Sequence, residues 1–178
     1  HLERVKKGSG KAPEIYLMEG FMDVIAAYRA GIENAVASMG TALTSEHVEH
    51  LKRFTKKVIV TYDGDKAGQA ATAKALDELK DIPVQVVQIP DAMDPDEYLQ
   101  KNSPQDLAYL LTNTRISPVE FYIHHFRPEN SENLQAQIEF IEKIAPLIAK
   151  EPSITAQNSY IHILTDHLPS FDYQQVEH

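Results

Sequence analysis

The sequence predicts an α/β fold: a parallel sheet of about four strands flanked by helices, followed by a small helical bundle. Three observations carry this expectation. Short apolar, β-branched runs alternate with helical patterns in the first part of the chain, which is the order that builds βαβ crossovers. Several of those runs stop abruptly at acidic residues and glycine, as in Met18-Glu19-Gly20 and Tyr62-Asp63-Gly64-Asp65. From Ser103 onward the pattern is helical only.

Residues 1–13 are basic and polar, contain Gly8, Gly10 and Pro13, and read as a linker or the end of an upstream subdomain. Lys6, Lys7 and Lys11 in this stretch read as solvated charges, with phosphate contact as the alternative. The first strand is 15–18. A helix over 21–29 follows, closed by Ala30-Gly31 in a C-cap pattern. Asp23 falls in its first turn, where a carboxylate either stabilises the helix or reaches a metal. Residues 35–38 form a short second strand, and Gly40-Thr41 makes the turn after it. Thr44 is the N-cap of the next helix, without a capping box, and Val48, Leu51 and Phe54 recur at core spacing. His47 and His50 lie three apart on a solvated face.

The third strand, from Val58, runs into Asp63-Gly64-Asp65, where Gly64 gives the turn the dihedrals it needs. Asp65 alone is explained as a helix cap. The helix over 66–80 is rich in alanine, and Ala67, Ala70, Ala71, Ala75 and Leu79 are expected to pack close to the sheet. A fourth strand over 84–89 is closed by Pro90. Asp94 then caps a helix with Pro95 in its first position, and Asp96 and Glu97 follow. Helices are expected over 104–111, 118–126 and 154–168. Leu134, Ile138, Ile141, Ala145 and Ile148 form an apolar stripe that Pro146 should kink or cut short. His124, His125, His162 and His167 have neither cysteines nor clustered acids beside them and read as core or surface histidines.

The chain has 178 residues, of which 43% are hydrophobic and 24% charged, the make-up of an ordinary globule with a sizeable core. No apolar run is long enough to span a bilayer, and the N-terminal residues do not form a signal peptide. With no cysteine there is neither a disulfide framework nor a thiolate zinc site, and a cytoplasmic location is expected. The formal charge of −9, from 17 basic and 26 acidic residues, argues against a free-standing nucleic-acid binder.

Ligands of an open parallel sheet sit beyond the carboxyl ends of its strands. Glu19, Asp63 and Asp65 should therefore meet at one rim. Carboxylates that close repel unless a cation lies between them, and oxygen-only ligands favour a hard divalent ion such as Mg²⁺ or Mn²⁺. Lys66, which opens the next helix, is the local candidate for phosphate contact, with a solvated lysine as the plain alternative.

The ordered set Glu19-Gly20, Met22-Asp23-Val24, Asp63-Gly64-Asp65 and Ala67-Gly68 resembles the Toprim domain shared by bacterial primases and topoisomerases. Asp94-Pro95-Asp96-Glu97 is similar to the third acidic motif of DnaG-type bacterial primases, and residues 35–42 resemble their version of the intervening stretch. The resemblance implies a Toprim-like domain over 14–112 and a helical bundle over 113–178. It implies the catalytic metal-binding part of a primase, a DNA-directed RNA polymerase and nucleotidyltransferase that makes short RNA primers during replication. Glu19, Asp63 and Asp65 would be catalytic, and Asp94 and Asp96 would extend the metal site to one or two Mg²⁺ or Mn²⁺ ions. Gly20, Gly64 and Gly68 would support the turns. Glu19 is either a general base or a ligand.

Single-stranded DNA template and nucleoside triphosphates would be partners through a basic region upstream of this piece. A replicative helicase would bind downstream, at the bacterial replication fork. Two other readings remain: a metal-dependent nuclease or Asp-x-Asp phosphatase, and a non-catalytic helicase-docking module. The phosphatase pattern wants Thr after the acidic turn, where this chain has Lys66-Ala67.

Overall fold

The computed structural model describes residues 12–39 and 42–177. Expectations for Lys6, Lys7, Lys11 and the Gly40-Thr41 turn lie outside those residues. The chain divides into two compact units, one running to Ser117 and the other from Pro118.

Among the described residues the first unit holds a four-stranded, all-parallel sheet in the order β2-β1-β3-β4. The strands are β1 (Ile15–Met18), β2 (Ala35–Ala37), β3 (Val58–Val60) and β4 (Val84–Val86). Tyr16 pairs with Ala35 on one side and with Ile59 on the other, so β1 and β3 are central and both are wholly buried. Such strands need apolar residues on both faces, which is why 15–18 and 58–60 read as continuous apolar runs. β4 is shorter than the 84–89 expected.

The helices of this unit are α1 (Phe21–Arg29), α2 (Ser45–Phe54), α3 (Lys66–Glu78), α4 (Pro95–Lys101) and α5 (Pro104–Asn113). Tyr16, Met18 and Ile59 point to one face of the sheet and form a core with Val24 and Ala27 of α1, Leu99 of α4 and Leu107, Leu110 and Leu111 of α5. α1 ends as expected, with Ala30 as C-cap and Gly31 at φ 86°, a left-handed conformation that glycine adopts freely. After α5 the chain stays with the sheet. Ile116 forms an antiparallel bridge to Val86, and Arg115 makes two 2.8 Å bonds to Glu14.

Two local expectations change. Thr44 and His47 do form a capping box: Thr44 Oγ1 accepts from His47 N, and His47 Nδ1 accepts from Thr44 N, both at 3.2 Å. An imidazole nitrogen does there what a Glu or Gln oxygen usually does. In α3 the buried residues are Gly68, Thr72, Ala75 and Leu76, whereas Ala67 and Ala70 are exposed. Thr72 can point inward because its hydroxyl donates to Gly68 O at 2.9 Å. The alanines at 67, 70 and 71 line an open cleft of about 630 Å³ with Glu19, Tyr62 and Lys74.

The second unit contains α6 (Pro118–Phe126), α7 (Leu134–Ala149), α8 (Ile154–Asp166) and α9 (Tyr173–Glu177). Ile123, Phe140, Ile144, Ile148, Ile161, Leu164 and Leu168 make its core. The buried line of α7 is Gln137, Phe140, Ile144 and Ile148, so the helix is rotated from the expected stripe and Leu134 is exposed. Gln137 is tolerated inside because its amide exchanges two hydrogen bonds with Ser170, of 3.1 and 3.2 Å. Pro146 does not end α7 early. It removes one ladder bond in the last turn, which burial of Ile148 offsets. His124, His125, His162 and His167 make ring contacts: His125 stacks on Phe121, His124 meets His167, and His162 meets Tyr173.

Candidate metal centre

The acidic residues gather where β1, β3 and β4 hand over to helices. Asp63 lies three residues past β3, in a turn held on both sides. Gly64 N donates to Met93 O at 2.9 Å, and a Cβ on Gly64 would overlap the Ile89 carbonyl oxygen. A Cβ on Gly68 would likewise overlap the Asp63 carbonyl oxygen. Only glycine allows α3 and the segment after β4 to close on the Asp63 turn this tightly. That is the close approach the supporting glycines provide.

Asp23 comes from the first turn of α1. It is 6% exposed; its Oδ2 accepts from Gly20 N at 3.2 Å and its Oδ1 from Asp96 N at 3.3 Å. The second bond ties the start of α1 to the start of α4. Asp94 is the N-cap of α4 and accepts from Glu97 N at 2.7 Å. One oxygen each from Asp23, Asp63 and Asp94 lies within 4.8 Å of the others, the one such cluster of metal-capable side chains among the described residues.

The remaining candidates sit around this triad. Glu19 lies close enough to Asp63 to raise its carboxyl, and it borders the alanine-lined cleft. Asp65 caps α3, its Oδ1 accepting from Gly68 N at 2.7 Å, and is exposed. Asp96 accepts from Gln100 Nε2 at 3.2 Å, and its backbone rather than its carboxylate meets Asp23. Lys66 is exposed at the start of α3. Asp23 was open to either role from sequence, and the structure gives it both: it binds two helix-start N–H groups and belongs to the triad. The signal for it was its place four residues after Glu19, on the first helical turn after a strand end.

The electrostatics are those of a site built for positive charge. Burial, then Glu19 and Asp23, push the Asp63 carboxyl up to about 8. Burial, then the Asp94 charge, raise Asp23 to about 6. Among the described residues Asp63 Oδ1 is the one buried side-chain polar atom with no hydrogen-bond partner. A buried acceptor costs free energy unless something donates to it or coordinates it. Three carboxylates and an orphaned oxygen fit a divalent metal ion bound through hard oxygen ligands.

A family model described as Toprim-like matches residues 16–99. The DNA primase of Lactococcus lactis is 54% identical over 177 residues, covering 99% of this chain and 28% of the relative. The chain belongs to the bacterial DNA primase family, as its Toprim region. The Listeria monocytogenes DNA primase is 40% identical over 170 residues, 93% of this chain and 27% of its own length. This primase piece thus spans somewhat over a quarter of the relatives it matches. Among solved structures, a DNA primase domain from Pseudomonas aeruginosa superposes with a TM-score of 0.64 at 27% identity, covering 93% of this chain and 53% of that one. A DnaG primase catalytic domain bound to single-stranded DNA gives 0.65 at 28% identity, over 93% of this chain and 54% of that one. The parallel sheet flanked by helices and followed by further helices is the fold of this family. Among the described residues no helix is long and apolar enough to cross a membrane.

Proposed function

We propose that this chain supplies the metal-binding carboxylates of a primase that synthesises short RNA primers on single-stranded DNA. The observation that carries the reading is the meeting of Asp23, Asp63 and Asp94 within 4.8 Å at the carboxyl end of the sheet, with one Asp63 oxygen buried and unpartnered. One or two Mg²⁺ or Mn²⁺ ions bound there would activate the primer 3′-hydroxyl and stabilise the pyrophosphate leaving group. Asp63, Asp23 and Asp94 hold the ion. Glu19, beside Asp63, is placed to accept a proton or to join the ligands. Asp65 caps α3, Asp96 ties the start of α4 to Asp23 through its backbone N–H, and both add negative charge at the rim. Lys66 faces solvent at the start of α3, where a phosphate would find both its ammonium and the helix N-terminus.

Template and triphosphates are anionic, and a chain of charge −9 repels both. The reading therefore assigns the basic groove, and any helicase contact, to other parts of the longer primase. The phosphatase alternative loses support because Asp65 caps α3 through Gly68 N and is not one of the three carboxylates that meet.

The test is primer synthesis by a full-length primase carrying this segment. Asp63→Asn and Asp23→Asn are each expected to abolish primer product with template binding retained. Primer synthesis at the wild-type rate in either variant overturns the assignment.

A further inference from the structure

Outside the acidic residues, a chain of two amides leads to the Asp63 turn. Gln88 Nε2 donates to Gln69 Oε1 at 3.2 Å, and Gln69 Nε2 donates to the Asp63 carbonyl oxygen at 3.1 Å. Gln69 stands in the first turns of α3, and Gln88 follows β4 by two residues. Both are partly buried. The pair of side-chain amides therefore joins the end of β4 and the start of α3 to the backbone of the turn after β3.

We infer that Gln69, held by Gln88, is a positioning residue for the metal centre: it fixes the Asp63 peptide so that the Asp63 carboxylate stays aimed at Asp23 and Asp94. This rests on the metal-centre reading above and adds to it a control point that carries no charge.

The physical case has three parts. The Asp63 carboxylate is held against Glu19, Asp23 and Asp94, all of which repel it when ionised, so without restraint it would rotate toward solvent. Its Oδ1 has no hydrogen bond to restrain it. The backbone carbonyl offers a restraint that does not depend on those acids. The carbonyl of Asp63 is the group that reports its ψ angle, and Gln69 holds that carbonyl. Gly68 leaves the space beneath the same oxygen open for this approach. Gln88 does not touch Asp63; it fixes the amide of Gln69 with its NH₂ toward the turn, since the Oε1 end is engaged by the Gln88 donor. Outer-shell hydrogen bonds of this kind set ligand orientation, and removing them typically weakens metal binding about 10- to 100-fold.

The experiment measures Mn²⁺ affinity by isothermal titration and thermal stability in parallel, on the whole chain and on Gln69→Ala, Gln88→Ala, the double variant and Asp63→Asn. Gln69→Ala is expected to weaken Mn²⁺ binding about tenfold or more, with Gln88→Ala intermediate. In the Gln69→Ala background the Gln88 change should have no further effect on affinity, because it acts only through Gln69. Gln69→Glu, which keeps the shape but loses the donor, should behave like Gln69→Ala and serves if the alanine variant does not fold. Wild-type affinity in Gln69→Ala or Gln69→Glu, with Asp63→Asn defective, overturns the positioning role and leaves the metal centre standing. Equal and additive losses from the two glutamines overturn the relay. Absence of Mn²⁺ binding in the wild type, or its full retention in Asp63→Asn, overturns both.

Discussion

The protonation state of the acidic cluster should set how tightly it binds metal. Asp63 is held at about 8 by burial and by the charges of Glu19 and Asp23, and Asp23 at about 6 by burial and the Asp94 charge. Near pH 7 the cluster therefore keeps about one proton, centred on Asp63, and near pH 5 about two. A divalent ion needs deprotonated carboxylates, so its binding expels those protons. Between about pH 6 and 8 the apparent Kd for Mn²⁺ should fall about tenfold per pH unit, with about one proton released per ion, and flatten above about pH 8.

Without metal the sign reverses. Both carboxyls have folded pKa values above their unfolded ones, so their protonated forms stabilise the fold. That contribution is complete below the ordinary carboxylate range and is lost as pH rises through about 6 and then 8. The metal-free chain should melt at a lower temperature as pH is raised over that window, and the Mn²⁺-saturated chain should not. Isothermal titration in buffers of different ionisation enthalpy counts the protons, and calorimetry gives the melting temperatures. An affinity that is the same at about pH 6 and 8, with no proton release, would refute the reasoning; so would an Asp63→Asn chain with the wild-type pH slope.

Other perturbations test the packing around the site. Arg115→Ala removes a bidentate bond to Glu14 and contacts to Tyr16 and Leu111 O, at side chains 15% and 26% exposed; denaturant unfolding should show a loss of about 2–3 kcal/mol, below the range for a wholly buried pair. Gly68→Ala drives a methyl group into the Asp63 carbonyl and should cost about 1–3 kcal/mol together with Mn²⁺ affinity, and a neutral result would mean the turn can yield. Gln137→Ala leaves Ser170 N unpaired and opens a gap beside Phe140; a loss of about 1–3 kcal/mol is expected by urea titration, with Mn²⁺ affinity unchanged.

The sheet was legible because its strands announce themselves. Residues 15–18 and 58–60 are apolar on both faces, and each is followed within a few residues by an acid and a glycine. The starts of α1, α3 and α4 were legible for the same reason, since Asp65, Asp94 and Pro95 are local signals. What a local signal cannot say is which carboxylate oxygen is left over once capping is satisfied. Asp65 gives an oxygen to Gly68 N and is not in the triad, while Asp23 accepts helix-start N–H groups at both oxygens and still meets Asp63. That difference depends on how α1 and α4 approach each other, a tertiary fact. The outward face of α3 was hidden similarly: alanines fit either side of a helix, and Thr72 passes for a surface residue until its hydroxyl is seen bonding Gly68 O. In α7, Leu134 and Ile138 outscore Gln137 on hydropathy, but Ser170, far along the chain, makes Gln137 the buried residue.

The concentration of negative charge at one rim raises the question of what keeps the fold from relieving it. The answer lies in where the acids were placed. Asp23, Asp65 and Asp94 each accept hydrogen bonds from the first N–H groups of a helix, and α1, α3 and α4 all begin at this rim. A helix N-terminus favours an adjacent anion by about 0.3–1 kcal/mol, and more when partly buried. Asp63 alone among the four has no such partner for its buried oxygen, and its carboxyl is pushed up further than that of Asp23. The helix starts thus give three of the carboxylates N–H partners without metal, while the buried Asp63 oxygen has none. Exchange of the Asp63 proton for a divalent ion is then a local event. It requires no rearrangement of the helices, because the N–H groups that hold the other three are already engaged.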